Sequence, residues 1–448
     1  MPDTKISIIG AGSAVFALIL VKDLSLSKCL EESTIYLMDI DKNRLHIIHS
    51  FAKKYIEETG IKIKFEKTTN REEALRDSDY VINTALAAGH SRLREGWSIA
   101  KELGYRFGGS LHIMHDEAFW INFYQYRLFD SILQDIKDLC PNAWYIQLAN
   151  PILAGITYLS RKFPKIKMIG LCHGFRGVYH MANVLGLNEK HLDFETIGIN
   201  HFIWLTKFFY EGEDAYPILD RWIREEASNY WEKCRMSDGM GPKPIDVYKK
   251  LGLMPIGDTC TPGGGSWPYW YHGNKNEEER WKEDPEKWWD SYFSHHSDIF
   301  EKISSLLYSN IKLTSVFKPE KSHEIIIPLI ESLACNIPRK LQINIPNNEN
   351  YIDSIPKNFE VELPLLVDKN GYHKDETRRL PKRILAHMYR DRITPIEIEL
   401  EAYETGSIDL LLQLILMDPW TKSITQAEKL LNRILSLPYH EEMKKHYK

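Results

Sequence analysis

The chain has 448 residues, 43% of them hydrophobic, with a formal net charge of −5 and a pI near 6.4. That length allows two or three domains with sizeable cores, and the acidic balance, without a long basic run, excludes a general phosphate-backbone binder such as a nucleic-acid protein. No apolar run reaches transmembrane length, so no membrane partner is expected, and Met1-Pro-Asp-Thr-Lys5 leads straight into a strand pattern without a leader-like segment, which predicts a cytoplasmic protein.

Six cysteines, Cys29, Cys140, Cys172, Cys234, Cys260 and Cys335, are scattered without CxxC spacing and read as reduced thiols. Lys5-Ile-Ser-Ile-Ile9 is a short strand pattern, followed by Gly10-Ala-Gly-Ser13 and an apolar helical run to Leu24. In a strand, glycine turn and helix, Gly10 permits the tight turn. Gly12 and Ser13 open the helix N-terminus, whose N–H groups suit a pyrophosphate. Val15 stands where a third glycine would complete GxGxxG. A second strand, residues 34–38, ends at Asp39, the spacing at which a carboxylate holds the ribose hydroxyls of NAD. Asp39 would repel the extra phosphate of NADP, although Arg44 lies close by.

Alternation continues with a helix over residues 42–59, a strand near 62–67, a helix over 71–76 and a strand over 80–84, the pattern of βαβ units and a parallel sheet. Arg92 and Arg94 follow that strand and could clamp an anionic substrate, though solvated loop charges are the more common explanation. Gly108 to Asp116 is a polar loop whose His112, His115 and Asp116 could face a site, although exposed histidines and Asp116 capping the long helix that runs to Leu139 are the favoured reading. After the strand over 144–149, Asn150-Pro151 opens a helix. Asn150 suits an N-cap, and also a hydrogen bond to a substrate hydroxyl.

The strand ending at Leu171 delivers Cys172-His173-Gly174-Phe175, and the strand over 194–199 delivers Asn200-His201. Alone, Cys172 reads as a small hydrophobe and His201 as an ordinary histidine. Together they are two metal-ligand types at the ends of two apolar strands.

These blocks, with Gly10-Ala-Gly-Ser13, Asp39, Asn150-Pro151, Glu399-Leu-Glu-Ala402, Gly406 and Asp418-Pro419, resemble glycoside hydrolase family 4, the NAD- and manganese-dependent glycosidases, over nearly the whole chain. The resemblance implies that Cys172 and His201 bind a divalent metal, usually Mn2+, together with substrate hydroxyls. It also implies a reaction in which NAD oxidises the sugar at C3, a base removes the C2 proton, the aglycone is eliminated, water adds and the ketone is reduced again. In the segment Leu253 to Tyr271, Asp258 is placed as the acid/base carboxylate, with Tyr269 or Tyr271 as the base. The segment departs from the family's usual pattern, having Asp258-Thr-Cys260 and then Gly263 to Gly265, a run that could form a lid.

Cys-His-Gly resembles the α-glucuronidase and α-galacturonidase members, so a uronic acid-containing sugar is the expected substrate. Its carboxylate calls for a guanidinium such as Arg176, Arg92 or Arg94. An α-glucosidase or α-galactosidase of the same family is the alternative, and a lactate/malate-type dehydrogenase a more distant one. The expected fold is α/β. A Rossmann-like NAD-binding domain of doubly wound parallel sheet covers residues 1–195, and an α+β domain of the lactate dehydrogenase-like C-terminal type covers 196–448. The family resemblance implies a homodimer or homotetramer.

Overall fold

Short apolar runs separated by amphipathic helices build a parallel sheet in the first half of the chain. In this computed structural model, which describes residues 4–448, the parallel strands are β1 (Lys5–Ile9), β2 (Thr34–Met38), β3 (Lys64–Thr68), β4 (Tyr80–Asn83), β5 (Trp144–Gln147) and β6 (Lys167–Gly170). Their spatial order is β3-β2-β1-β4-β5-β6. The order reverses between β1 and β4, and the carboxyl ends of such strands leave a crevice there for a ligand.

The second half supplies β7 (Leu192–Ile199), β8 (Phe202–Tyr210), β9 (Glu213–Asp214), β10 (Met254–Ile256), β11 (Arg339–Pro346), β12 (Glu360–Asp368) and β13 (Gly371–His373). β11 pairs antiparallel with β6 through Asn344 and Gly170, and the sheet continues through β12, β7, β8 and β10. The two halves therefore share one sheet, and the division at 195/196 falls inside β7. The period of two along β12 sends Val361, Leu363, Leu365 and Val367 into the core and puts Glu360 and Glu362 together on the other face, all six buried. That second face looks toward the turn between β7 and β8.

Helix Phe119–Leu139 backs the sheet with Phe119, Phe123, Phe129, Ile132 and Ile136 buried along one side. Helix Pro285–Leu307 lies against the N-terminal half, where Trp289 and Phe293 meet Trp97 and Phe300 carries the guanidinium of Arg44 at 4.4 Å. Residues 394–416 form two helices, Thr394–Thr405 and Ile408–Leu416. Gly406 takes the left-handed conformation at φ +72°, and Ser407 caps the second helix through the N–H of Leu410. The expectation that all six cysteines are free is corrected at one pair, because Cys29 and Cys335 form a disulfide. Cys140, Cys172, Cys234 and Cys260 are free. Among the described residues no helix is long and apolar enough to cross a membrane.

Candidate active site

At the switch point, the N–H groups of Gly10 and Ala11 donate to the carbonyl of Met38, and Gly12 N–H donates to Asp39 Oδ2 at 2.8 Å. Gly10 sits at φ +85°, and a Cβ there would lie 2.6 Å from the backbone of Ala85, so only glycine lets the turn pass between β1 and β4. Arg44 Nε donates to the carbonyl of Gly12 at 3.0 Å and secures the turn from the far side. Helix Ala14–Leu24 starts directly behind Ser13 and points its N-terminus at this cradle. The glycine turn and the helix N-terminus thus meet at the carboxyl ends of β1 and β4.

Three further chain segments converge at the carboxyl ends of the central strands. Cys172 follows β6, His201 occupies the turn between β7 and β8, and Asp258 lies in the 3-10 turn Gly257–Thr259 after β10. One donor atom from each can be chosen so that all lie within 4.8 Å of one another. His201 Nε2 is 4.0 Å from Asp258 Oδ2. Thr259 holds the Asp258 turn onto β8, its hydroxyl accepting from Ile203 N–H and donating to Ile203 O at 2.8 and 2.9 Å. The Cys172 and Asp258 segments touch: a Cβ on Gly257, at φ +53°, would come within 2.0 Å of the carbonyl oxygen of Gly174. A thiolate, an imidazole and a carboxylate so placed are donors suited to a divalent first-row ion.

Behind His201 lies a group of carboxylates that the strand patterns do not single out. Glu117 Oε1 is 3.4 Å from His201 Nδ1, Glu360 Oε2 accepts the N–H of Asn200 at 3.0 Å, and Glu362 accepts from Asn200 Nδ2 and Gln342 Nε2. All three are 0% exposed. Burial pushes the Glu360 carboxyl well above its ordinary range and that of Glu362 up to about 7. Burial likewise raises the thiol of Cys172, partly offset by His201. Burial opposes charge on His201, but the neighbouring Cys172 and Glu117 outweigh that and raise it well above its ordinary value. Both oxygens of Glu117 lack a hydrogen-bond partner among the described residues, an arrangement that a cation beside His201 would compensate.

The loop before helix Phe119–Leu139 is buried, which corrects the expectation of exposed histidines. His112 and His115 are 2% and 0% exposed. His112 faces Glu399, while His115 Nδ1 lies 2.9 Å from Asp116 Oδ1 and its Nε2–H donates to the carbonyl of Gly263 at 2.8 Å. Burial alone would raise the Asp116 carboxyl, but His115 and the Asn150 hydrogen bond hold it down at about 2. Asp116 caps no helix here, since Ala118 occupies the N-cap position. Asn150 does not cap its helix either. Pro151 takes that position, and Asn150 Nδ2 donates to Asp116 Oδ2 at 3.1 Å.

The glycine-rich run is tied to its surroundings by two carbonyls: Gly263 O takes the His115 hydrogen bond and Gly264 O that of the buried Arg392 at 2.9 Å. Tyr271 is buried and donates to Asp246 Oδ2 at 2.6 Å, and Tyr269 packs on Trp270 and Trp420. Neither tyrosine is brought to Cys172 and His201 by these contacts. Tyr292, on helix Pro285–Leu307, lies instead within electrostatic reach of Asp116 and Asp258, and its hydroxyl is pushed up first by burial and then by those charges.

Arg92 lies over the rings of Tyr439 and Tyr124 at 4.8 and 5.6 Å, and Arg94 pairs with Asp290, so neither faces the centre. Arg176 does line the cleft that opens from it. That cleft, of about 410 Å³, also carries His173, Tyr179, His180, Asp258 and His323. Arg176 Nη1 is 3.5 Å from Glu324 Oε1, a loose pairing that leaves most of its donors to the cleft.

A family model described as "Family 4 glycosyl hydrolase" matches residues 5–187, and one described as "Family 4 glycosyl hydrolase C-terminal domain" matches residues 196–421. An alpha-galactosidase of Bacillus subtilis (strain 168) is 26% identical over 97% of this chain and 96% of its own length. An alpha-galacturonidase of Lachnoclostridium phytofermentans is 25% identical over 97% and 95%. A solved 6-phospho-alpha-glucosidase from gut microorganisms, in complex with NAD and Mn2+, has 18% sequence identity and a TM-score of 0.80, covering 100% of this chain and 99% of that one.

Proposed function

The chain belongs to glycosyl hydrolase family 4, and on that premise we propose that it is an NAD- and Mn2+-dependent α-glycosidase whose substrate is a uronic acid-containing sugar. The observation that carries this reading is the convergence of Cys172, His201 and Asp258, with Asp258 also lining the cleft that holds Arg176. Cys172 and His201 are the residues that would hold the ion, and Gly10, Gly12, Ser13 and Asp39 those that would hold NAD, with Arg44 bracing the turn. Bound there, NAD would supply a hydride acceptor and the divalent ion a Lewis acid for the sugar.

The protein's own groups then bind, orient and move protons. The Asp258 carboxylate is positioned to exchange a proton with C2 or with the leaving oxygen, and Thr261 Oγ1, donating to Asp258 Oδ1 at 2.8 Å, fixes its rotamer. Asp116 is kept ionised and oriented by His115 and Asn150 at the inner wall, where it suits hydrogen bonds from sugar hydroxyls. Tyr292 replaces Tyr269 and Tyr271 as the tyrosine beside the carboxylates. Arg176 supplies the charge that a uronate carboxylate needs in the cleft.

Glu324 partly neutralises Arg176, and this favours a second reading in which a neutral α-glucoside or α-galactoside is cleaved. A panel of aryl α-glucuronide, α-galacturonide, α-glucoside and α-galactoside, assayed with NAD, Mn2+ and a thiol reductant, separates the two. The uronide reading requires the highest kcat/KM on a uronide; preference for a neutral sugar would replace it with the second.

A further inference from the structure

His201 reaches the centre from an unusual backbone position. It is a non-glycine residue at φ +58°, the second of two residues joining β7 to β8. A β-carbon in the left-handed region is strained, and such a conformation persists only where its surroundings fix it. Those surroundings are the three buried carboxylates. Glu360 holds the backbone N–H of Asn200 at 3.0 Å, Glu362 holds the side chain of Asn200 at 3.3 Å, and Glu117 stands 3.4 Å from Nδ1 of His201.

A purely structural clamp would be made more cheaply by amides. Glutamine oxygens accept the same hydrogen bonds from Asn200 without placing formal charge in the interior. Here three fully buried carboxylates surround one two-residue turn, and both oxygens of Glu117 and Oε1 of Glu360 lack a hydrogen-bond partner among the described residues. The Glu117 carboxylate beside Nδ1 leaves Nε2, on the side of Asp258, as the nitrogen that would coordinate an ion held with Cys172.

We propose that Glu117, Glu360 and Glu362 are positioning residues that hold the Asn200–His201 turn in its metal-presenting form and set the electron donation of His201, without themselves touching the substrate. This rests on the metal reading of Cys172 and His201, and the test keeps the two apart. Mn2+ affinity is measured by titration on the reduced protein for the unaltered chain, Cys172→Ser, Glu117→Gln, Glu117→Asp and Glu360→Gln. Glu283→Gln serves as a control, altering a buried carboxylate that is paired instead with Lys243 at 2.6 Å.

The metal reading fails if the unaltered chain binds no Mn2+ or Cys172→Ser binds it equally well. With that reading intact, the proposal expects Mn2+ binding weakened by roughly 10- to 100-fold in Glu117→Gln and Glu360→Gln, and unchanged in Glu283→Gln. Folded Glu117→Gln and Glu360→Gln proteins with Mn2+ affinity within about twofold of the unaltered chain would overturn it. Should the amide variants not fold, Glu117→Asp carries the same comparison: weaker binding supports the proposal and equal binding overturns it. Cobalt substitution adds a readout that a stability role does not move. The ligand-field and thiolate charge-transfer bands of bound Co2+ are expected to shift in Glu117→Asp, and an unshifted spectrum would count against the proposal.

Discussion

Oδ2 of Asp258 stands 4.0 Å from Nε2 of His201, although 57 positions separate them in the sequence and their segments meet only through β8 and β10. That separation is too long for a hydrogen bond, and it leaves an open face bounded by imidazole, carboxylate and the Cys172 thiol. The open face explains why the three residue types occur together.

Cys172 and His201 supply the sulfur and nitrogen of the centre, so Cys172→Ser and His201→Asn should each abolish tight Mn2+ binding. Glycosidase activity should fall by roughly a thousandfold, the scale of losing several kcal/mol of Lewis-acid stabilisation. Mn2+ titration alongside steady-state rates checks this, and added Mn2+ should not restore either variant.

Asp258 is a proton-transfer group in this account and not an obligatory ligand. Asp258→Asn should therefore retain Mn2+ affinity while kcat falls by about 10²- to 10⁴-fold, the range for losing a positioned acid or base. Loss of metal binding in parallel with kcat would reassign it as the third ligand.

Arg176 lines the cleft from the centre outward. Arg176→Gln should raise KM for an α-uronide by roughly 10- to 100-fold, corresponding to one charge-assisted bidentate contact, and leave KM for a neutral α-glycoside nearly unchanged. Equal effects on both substrates would remove Arg176 from carboxylate recognition.

His272 gives a pH prediction for stability. It is buried and donates to the carbonyl of Gly108 at 3.0 Å. Burial, followed by the charge of Lys243, depresses it from an ordinary value of 6.5 to about 3. A depressed value means the unfolded chain takes up the proton first. Its contribution is thus complete above about pH 6.5 and drains away as the pH falls toward 3. Between pH 6.5 and about pH 5 this amounts to roughly 2 kcal/mol. Thermal denaturation across that range should show a shallower acid slope for His272→Gln than for the unaltered chain, and equal slopes would contradict the assignment.

The sequence carries the parallel half of the fold well, because β1, β2, β4, β5 and β6 are short, largely apolar runs bounded by turn residues, and each glycine and acid of the cradle sits at a fixed offset from one of them. Cys172, His201 and Asp258 are likewise visible, each at the end of a strand. What is not visible arises from contacts across long separations. Glu117, Glu360 and Glu362 look like ordinary polar positions in their own segments, and only the pairing of β12 with β7 turns two of them toward Asn200. Asn150 reads as a helix cap from its own dipeptide, whereas its partner Asp116 lies 34 residues away. Tyr269 and Tyr271 were favoured by closeness in sequence to Asp258. Tyr271 is engaged by Asp246 and Tyr269 by Trp270 and Trp420, and Tyr292 comes in from a later helix. Arg92 is drawn off by the rings of Tyr439 and Tyr124, residues that local sequence gives no reason to place beside it.

The central claim is that the glycosidic bond is broken by internal oxidation and elimination at the Cys172, His201 and Asp258 centre, and the hydrogen at C2 of the product tests it most directly. Hydrolysis of an accepted α-glycoside is run in D2O with NAD and Mn2+, and the released sugar is examined by NMR and mass spectrometry. The account predicts deuterium at C2 of the product with no net accumulation of NADH. Release of a sugar that keeps its original hydrogen at C2 would contradict it.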